Sequence, residues 1–339
     1  MNSTDSWIAA AAFLASFIGT GMLRRYALRN NLLDVPNSRS SHQSPTPRGG
    51  GAAIVVAFFI STYLLVALRA IDSRFVSALW IGGGLIALIG IIDDRKPQSA
   101  LRRLIVHVVA AAAVVHLVGE VALQGPKGGL LAELWLFRVI AVVALVWVSN
   151  LFNFMDGIDG IAGTEAIFVM TSAAWLNSHF EKDAGLTSAM LCLAAAGVGF
   201  VLWNWPRAKI FMGDVGSGFL GFVIGVFGLY TSWNGGLHLI VWIILGGVFL
   251  TDSTVTLLRR MLRRERWTEA HRMHAYQHAA RRWNAHWPVT TAVAAINVVW
   301  LLPFAFLAII RPSLELLWLI IAIGPLVALA LMVGAGRKE

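Results

Sequence analysis

The chain has 339 residues, 58% of them hydrophobic and only 13% charged, with a mean hydropathy of +0.71. Soluble domains carry about 25% charged residues, so this composition excludes an ordinary water-soluble domain and makes bilayer the expected solvent. A single cysteine, Cys192, excludes an internal disulfide framework and Cys-rich zinc sites.

The first apolar run, 6–23, follows a start that holds Asp5 and no Lys or Arg, so it reads as a retained span, not a cleaved signal. Further apolar segments lie at 51–68, 75–92, 104–119, 134–153, 161–177, 186–203, 215–231, 237–257, 290–310 and 314–334. The expected fold is an all-α integral membrane bundle of about eleven helices. It becomes ten if the short segment 161–177, which carries Glu165, does not cross. One domain covers 1–339, with loops 24–50, 93–103, 154–161, 204–214 and 258–289 on one side.

Lysine and arginine set the orientation. Those loops and the C-terminal tail hold 21 of the 27 basic residues, while the opposite side has only Arg69, Arg74, Lys127, Arg138, Lys182 and Arg311. The positive-inside rule places the rich side in the cytoplasm, the N-terminus outside and the C-terminus inside. The net charge of +9 is thus a topology signal, not a nucleic-acid footprint.

Acids at span ends are costly and mark candidate sites. Asp93 and Asp94 end the third segment, Asp156 and Asp159 follow the fifth, Asp214 precedes the eighth, and Asp252 sits near the inner end of the ninth. All six fall on the predicted cytoplasmic side and are expected to converge on one shallow site. The plainer alternative is pairing with neighbouring arginines, Asp94 with Arg95 or Asp252 with Arg259. The loop of Asp156 and Asp159 contains no basic residue, which favours an external cation or ligand donors there. Oxygen donors suit magnesium better than zinc.

Two segments carry the chemistry. In Asn150-Leu-Phe-Asn-Phe-Met-Asp-Gly-Ile-Asp-Gly-Ile-Ala-Gly163, Asn153, Asp156 and Asp159 recur every third residue, so a helical turn would present them on one side. In Ala208-Lys-Ile-Phe-Met-Gly-Asp-Val-Gly-Ser-Gly218, Asp214 stands just before an apolar helix, whose first amides favour phosphate. A third segment, His271-Arg-Met-His-Ala-Tyr-Gln-His278, spaces His271, His274 and His278 for one helix face; that spacing serves zinc sites and solvated faces alike.

The runs NLFNFMDGIDGIAG and KIFMGDVGSGFLG, with Asp93-Asp94, resemble the polyprenyl-phosphate N-acetylhexosamine-1-phosphate transferases over about Asp34 to His278. Within them the chain is most similar to bacterial O-antigen initiating transferases. The resemblance implies a multi-pass inner-membrane enzyme that moves an N-acetylhexosamine-1-phosphate from a UDP-sugar to undecaprenyl phosphate, releasing UMP. It implies Asn153 and Asp214 as ligands of Mg2+, with Mn2+ able to substitute. Asp159 contacts the nucleotide and Asp156 lines its pocket, while Asp93 and Asp94 position or deprotonate the lipid phosphate. The stretch Pro36 to Gly51 supplies Arg39, His42 and Arg48 as charged contacts. Lys96 and Asn150 join the substrate-binding set, and His271, Arg272, His274 and His278 grip sugar and diphosphate, Arg272 as a bidentate clamp. A homodimer is compatible with this reading.

Two features depart from the family. Asp93-Asp-Arg-Lys-Pro-Gln has no third acid, and the histidine segment matches neither HHH nor HIHH; both bear on sugar choice. Competing readings are an ion- or proton-coupled secondary transporter, whose acids would lie near the midplane, and a lipid-diphosphate hydrolase. His107 and His116 are read as satisfied polar groups within a span, tryptophans near span ends as interfacial anchors, and the Gly82–Gly84 run as a close helix contact. Glu165 has no assigned role.

Overall fold

The computed structural model describes residues 3–36, 44–124, 135–265 and 271–337. The predicted Arg39 and His42 lie outside them. Among the described residues the chain is all-α, save a two-stranded antiparallel ladder of β1 (Leu33–Asp34) and β2 (Thr46–Pro47).

The helices follow the apolar segments. They are α1 (Ser3–Arg29), α2 (Ala52–Ala67), α3 (Ser73–Arg95), α4 (Ala100–Gln124), α5 (Trp135–Met155), α6 (Ile161–Leu176), α7 (Ala184–Asn204) and α8 (Asp214–Trp233). After them come α9 (Leu239–Leu245), α10 (Gly247–Leu262), α11 (Ala275–Trp283), α12 (Trp287–Ile296), α13 (Leu302–Ile310) and α14 (Glu315–Val333). A π-helical turn, Asn297–Leu301, joins α12 to α13 just before Pro303, which cannot donate into a regular helical ladder.

Every predicted apolar segment is helical, but they are not eleven equal spans. Among the described residues eight helical stretches are long and apolar enough to cross a membrane, and a ninth if the bent pair α9–α10 counts as one. α2, at 16 residues, extends only ~24 Å, less than the ~30 Å hydrocarbon core, while α6 runs on into a π-helical turn, Asn177–Glu181. The predicted segment 237–257 is broken at Gly246, where α9 and α10 meet at 80°. Hydropathy registers apolar length and is blind to such a bend.

Helix α8 runs through the middle, packed against α3, α5, α2 and α6. Its Phe219, Phe222 and Phe227 are fully buried, with Phe58 and Phe75 edge-on to its aromatic row. Gly90 of α3 lets the α8 start approach: a Cβ there would lie 2.5 Å from the backbone of Val215. Gly82 does the same against Val114 and Phe222, as expected for a packing glycine. By contrast α1, α4, α5 and α14 expose large apolar side chains such as Ile18, Ile105, Val143 and Met332. In water these faces would be unfavourable; in bilayer they are the solvated surface.

Candidate active site

The C-terminal ends of α3 and α5 meet the N-terminal ends of α8 and α11 around a cavity of about 220 Å3. Its walls include Arg48, Asp94, Asn153, Asp156, Asp159 and Asp214, six of the residues singled out in the sequence. A smaller cavity of about 20 Å3 shares Asn153 and Asp214 and adds Asp93, Arg103, His107 and Asn150.

Asp214 opens α8 after Gly213, whose φ of +77° is a left-handed value that favours glycine. Its carboxylate Oδ1 accepts a hydrogen bond from Asn153 Nδ2 at 2.8 Å, and Asn153 Nδ2 also reaches Ser217 Oγ at 3.1 Å. Arg103 of α4 lies 3.1 Å from Asp93 and 3.4 Å from Asp214, bridging two carboxylates that would otherwise repel. Asp93 also accepts from the backbone N–H of Gln98.

Asp94 plays a part that the sequence did not suggest. Its two oxygens accept from the backbone N–H groups of Asp214 (3.0 Å) and Val215 (3.2 Å). These are first-turn amides of α8, where phosphate was expected. Asp94 therefore occupies that helix start, and its pairing with Arg95 is replaced by this capping role. Arg48, from the strand segment stitched to the 211–212 loop by Gly50 N–H to Phe211 O (3.0 Å), donates to the Asp94 backbone carbonyl.

The three-residue spacing brings Asn153, Asp156 and Asp159 to one pocket, though not on one helical turn. α5 ends at Met155, and the chain turns through Asp156 to Gly160 (φ +76°) before α6 begins. Asp159 is not left without basic contact: His286 Nδ1 lies 3.2 Å from its Oδ1, and the Ala208 N–H donates to Oδ2 at 3.1 Å. Asn204 ties the two motif loops together, accepting from Gly160 N–H at 2.8 Å and donating to Ile210 O at 2.9 Å. Burial, and then the charges of Asp214, Asp94 and Asp159, hold the Asp156 carboxyl well above the usual carboxylate range.

The histidine segment differs most from expectation. α11 starts at Ala275, so His274 is its cap residue and His271 lies in the preceding loop. Their rings stack at 5.0 Å, while His278 lies within α11 beside Gly334, so the three do not stand on one helix. Asp252 stands behind them, accepting from Ala275 N–H (2.9 Å) and Tyr276 N–H (3.0 Å), 3.3 Å from His274 Nδ1. It supports α11, neither lining the cavity nor pairing with Arg259. Lys96 and Arg272 are exposed and lie outside both cavity walls. α11 instead contributes Gln277 to the wall, and Tyr276 donates to Phe154 O at 2.9 Å. Burial, reinforced by the Asp252 and Asp156 charges, keeps the Tyr276 hydroxyl protonated well above its ordinary value.

Asp34, Asn204, Ser217, Gln277 and His286 line the main cavity without having been foreseen, as do Arg103 and His107 in the smaller one. Gln277 lies inside the histidine segment, Ser217 inside the Asp214 segment and Asn204 just before it. The single His286 carried no pattern.

Among the described residues no group of three His, Cys, Asp or Glu forms a ready cation cage. The donor set nonetheless fits a magnesium-like ion. Such ions take one or two protein oxygens and complete their shell with water and substrate phosphate, and Asn153 and Asp214 offer that pair.

Helix ends that gather Asp93, Asp94, Asp156, Asp159 and Asp214 beside long apolar helices define a multi-pass membrane protein with an acidic pocket. Residues 76–232 match the sequence model of glycosyl transferase family 4. A probable undecaprenyl-phosphate N-acetylglucosaminyl 1-phosphate transferase of Bacillus subtilis is 28% identical over 269 residues, 75% of this chain and 71% of that protein. The decaprenyl-phosphate N-acetylglucosaminephosphotransferase of Mycolicibacterium smegmatis is 32% identical over 234 residues, 64% of this chain, which spans only 58% of that relative's length. A phospho-N-acetylmuramoyl-pentapeptide-transferase of Moorella thermoacetica is 28% identical over 67% of this chain and 72% of its own. The chain is thus similar to glycosyl transferase family 4 and to polyprenyl-phosphate sugar-phosphate transferases.

Proposed function

We propose that the protein transfers an N-acetylhexosamine-1-phosphate from a UDP-sugar to undecaprenyl phosphate at the cytoplasmic face of a bacterial inner membrane. UDP-N-acetylglucosamine or its 6-deoxy relatives are the donors, and the product primes O-antigen or a related envelope polysaccharide. A lipid phosphate oxygen attacks the β-phosphorus of the donor; the bond from that phosphorus to the oxygen bridging to the α-phosphorus breaks, and UMP leaves with that oxygen.

The observation that carries this reading is the meeting of Asn153 and Asp214 between two adjoining cavities. The larger, with Asp156 and Asp159, suits the nucleotide sugar. The smaller, with Asp93 and Arg103, suits the lipid phosphate. Asn153 and Asp214 would hold Mg2+ between them, and a bound cation there offsets the repulsion between phosphate and diphosphate. Arg48 and Arg103 add positive charge toward the same anions. A site at helix ends lets the acceptor stay in bilayer and the donor in water, and this placement disfavours a midplane transporter site.

The test is UMP release by the purified full chain in lipid nanodiscs, supplied with undecaprenyl phosphate, Mg2+ and a panel of UDP-N-acetylhexosamines. UMP should form only when lipid and cation are both present. Inorganic phosphate instead of UMP would replace transfer with hydrolysis.

A further inference from the structure

We infer that Glu165 is a protonated positioning residue, paired acid-to-amide with Asn297 inside the bundle so that α12 is held in the register that fixes Asp159 at the pocket. The consequence for activity rests on the transferase reading above.

Glu165 lies in the second turn of α6 and lines neither cavity; it is 1% exposed and Asn297 is 0% exposed. Asn297 Nδ2 donates to Glu165 Oε2 at 2.5 Å. The two remaining oxygens, Glu165 Oε1 and Asn297 Oδ1, have no hydrogen-bond partner among the described residues. Both are acceptors when the carboxyl is ionised, and both are then buried without a donor. A carboxylate with one amide donor in such surroundings is strongly disfavoured. A proton on Oε1 turns one orphan into a donor for the other. Acid and primary amide then exchange two hydrogen bonds, and the pair is complete and neutral.

The pair belongs to a longer seam. His286 Nδ1 stands 3.2 Å from the Asp159 carboxylate, and Thr290 Oγ1 donates to the Asp159 carbonyl at 2.9 Å. Asn297 continues the series two turns further along. Positions 286, 290 and 297 fall on one side of this helix, against the stretch from Asp159 to Glu165. Asn297 also begins the π-helical turn, where the ladder is wider than in a regular helix. His286 and Thr290 therefore grip the pocket end of the seam, and the Glu165–Asn297 pair pins its inner end.

The experiment uses the full chain in nanodiscs and two readouts. Infrared spectra of wild type minus Glu165→Gln should show the carbonyl stretch of a protonated carboxyl, absent from the variant. In UMP-release assays, Asn297→Leu should raise KM for the UDP-sugar by ~10-fold with a smaller change in kcat. Glu165→Gln, which keeps a neutral partner, should stay within ~2-fold, and the exchange Glu165→Gln with Asn297→Asp should also restore KM. Carboxylate bands in place of the acid band would overturn the pairing, whether or not Asn297→Leu folds. Unchanged KM in a folded Asn297→Leu protein would overturn the positioning role. A wild type that makes no UMP would instead remove the proposed function and leave the infrared result to decide the pair.

Discussion

Asn153 Nδ2 and Asp214 Oδ1 stand 2.8 Å apart although 61 residues separate them in the chain. The amide and carboxylate satisfy each other here, and a half-turn of the amide would present two oxygens to one cation. Asp214→Ala is therefore expected to lower UMP release by at least ~10²-fold. Asn153→Ala should raise the Mg2+ concentration for half-activation by ~10-fold. A magnesium titration of each purified variant separates the two effects, and a near-normal rate for Asp214→Ala would end the cation role.

Arg103 is the one described side chain seen to bridge Asp93 and Asp214. It is partly exposed, so its worth to stability is modest. Its charge sits where an anionic acceptor would arrive. Replacing it with Ala is expected to raise KM for undecaprenyl phosphate by ~10-fold and that for the UDP-sugar by less. Both contacts run from the single Nη1, so lysine, which keeps one donor nitrogen and the charge, should recover much of the loss. Equal shifts in both KM values would contradict a role on the acceptor side.

Asp94 and Asp93 are adjacent, yet their contacts differ in kind. Asp94 caps two amides of α8, and losing such a cap costs about 1 kcal/mol. Asp94→Ala should lower Tm and also displace Asp214, whose own N–H it holds. Asp93→Ala should lower activity with a smaller fall in Tm. Thermal unfolding of the two variants in matched detergent gives the comparison, and a reversed order would deny Asp94 its capping role.

Helices and acids were legible in the sequence for a simple reason: apolar length and intramembrane charge are local properties, and each segment reports its own. Asn153, Asp156, Asp159 and Asp214 stood out because carboxyl and amide groups at span ends are costly without a use. What the sequence could not report is which backbone group a side chain meets. Asp94 was visible as an acid but not as the cap of a helix 120 residues away. His286 was invisible because one histidine in a loop has no period. The histidine segment misled because i,i+4 spacing describes a helix face only if the helix already exists, and α11 begins after His274.

That same segment carries a pH consequence. Burial, with the neighbouring charges of His274 and Arg260, pushes His271 down to about 3 from an ordinary 6.5. Between those values the unfolded chain binds the proton that the folded chain refuses, so stability rises with pH across this window. The His271 contribution is whole above about 6.5 and fades as the medium is acidified toward 3. His271→Gln should flatten part of the fall in Tm between neutral pH and about 4. An unchanged slope would mean that His271 already titrates normally.

The contact between Gly157 and Tyr276 couples the pocket loop to α11 and can be tested as a pair. A Cβ on Gly157 would come within 2.2 Å of the Tyr276 hydroxyl oxygen and 3.2 Å of its ring carbon. The hydroxyl is held in place by Phe154 O at 2.9 Å, so it cannot simply swing aside. Gly157→Ala should push α11 from the loop, moving Gln277 off the cavity wall and raising KM for the UDP-sugar by ~10-fold. Tyr276→Phe alone should cost about 1 kcal/mol of stability for the lost hydrogen bond and little in KM. The double variant removes the obstructing oxygen and leaves approaches of 3.2 Å to the ring and 3.1 Å to Gln277 Nε2, which small shifts relieve. It should therefore recover most of the affinity lost in Gly157→Ala. Additive losses in the double variant would show that the loop and α11 act on the donor independently.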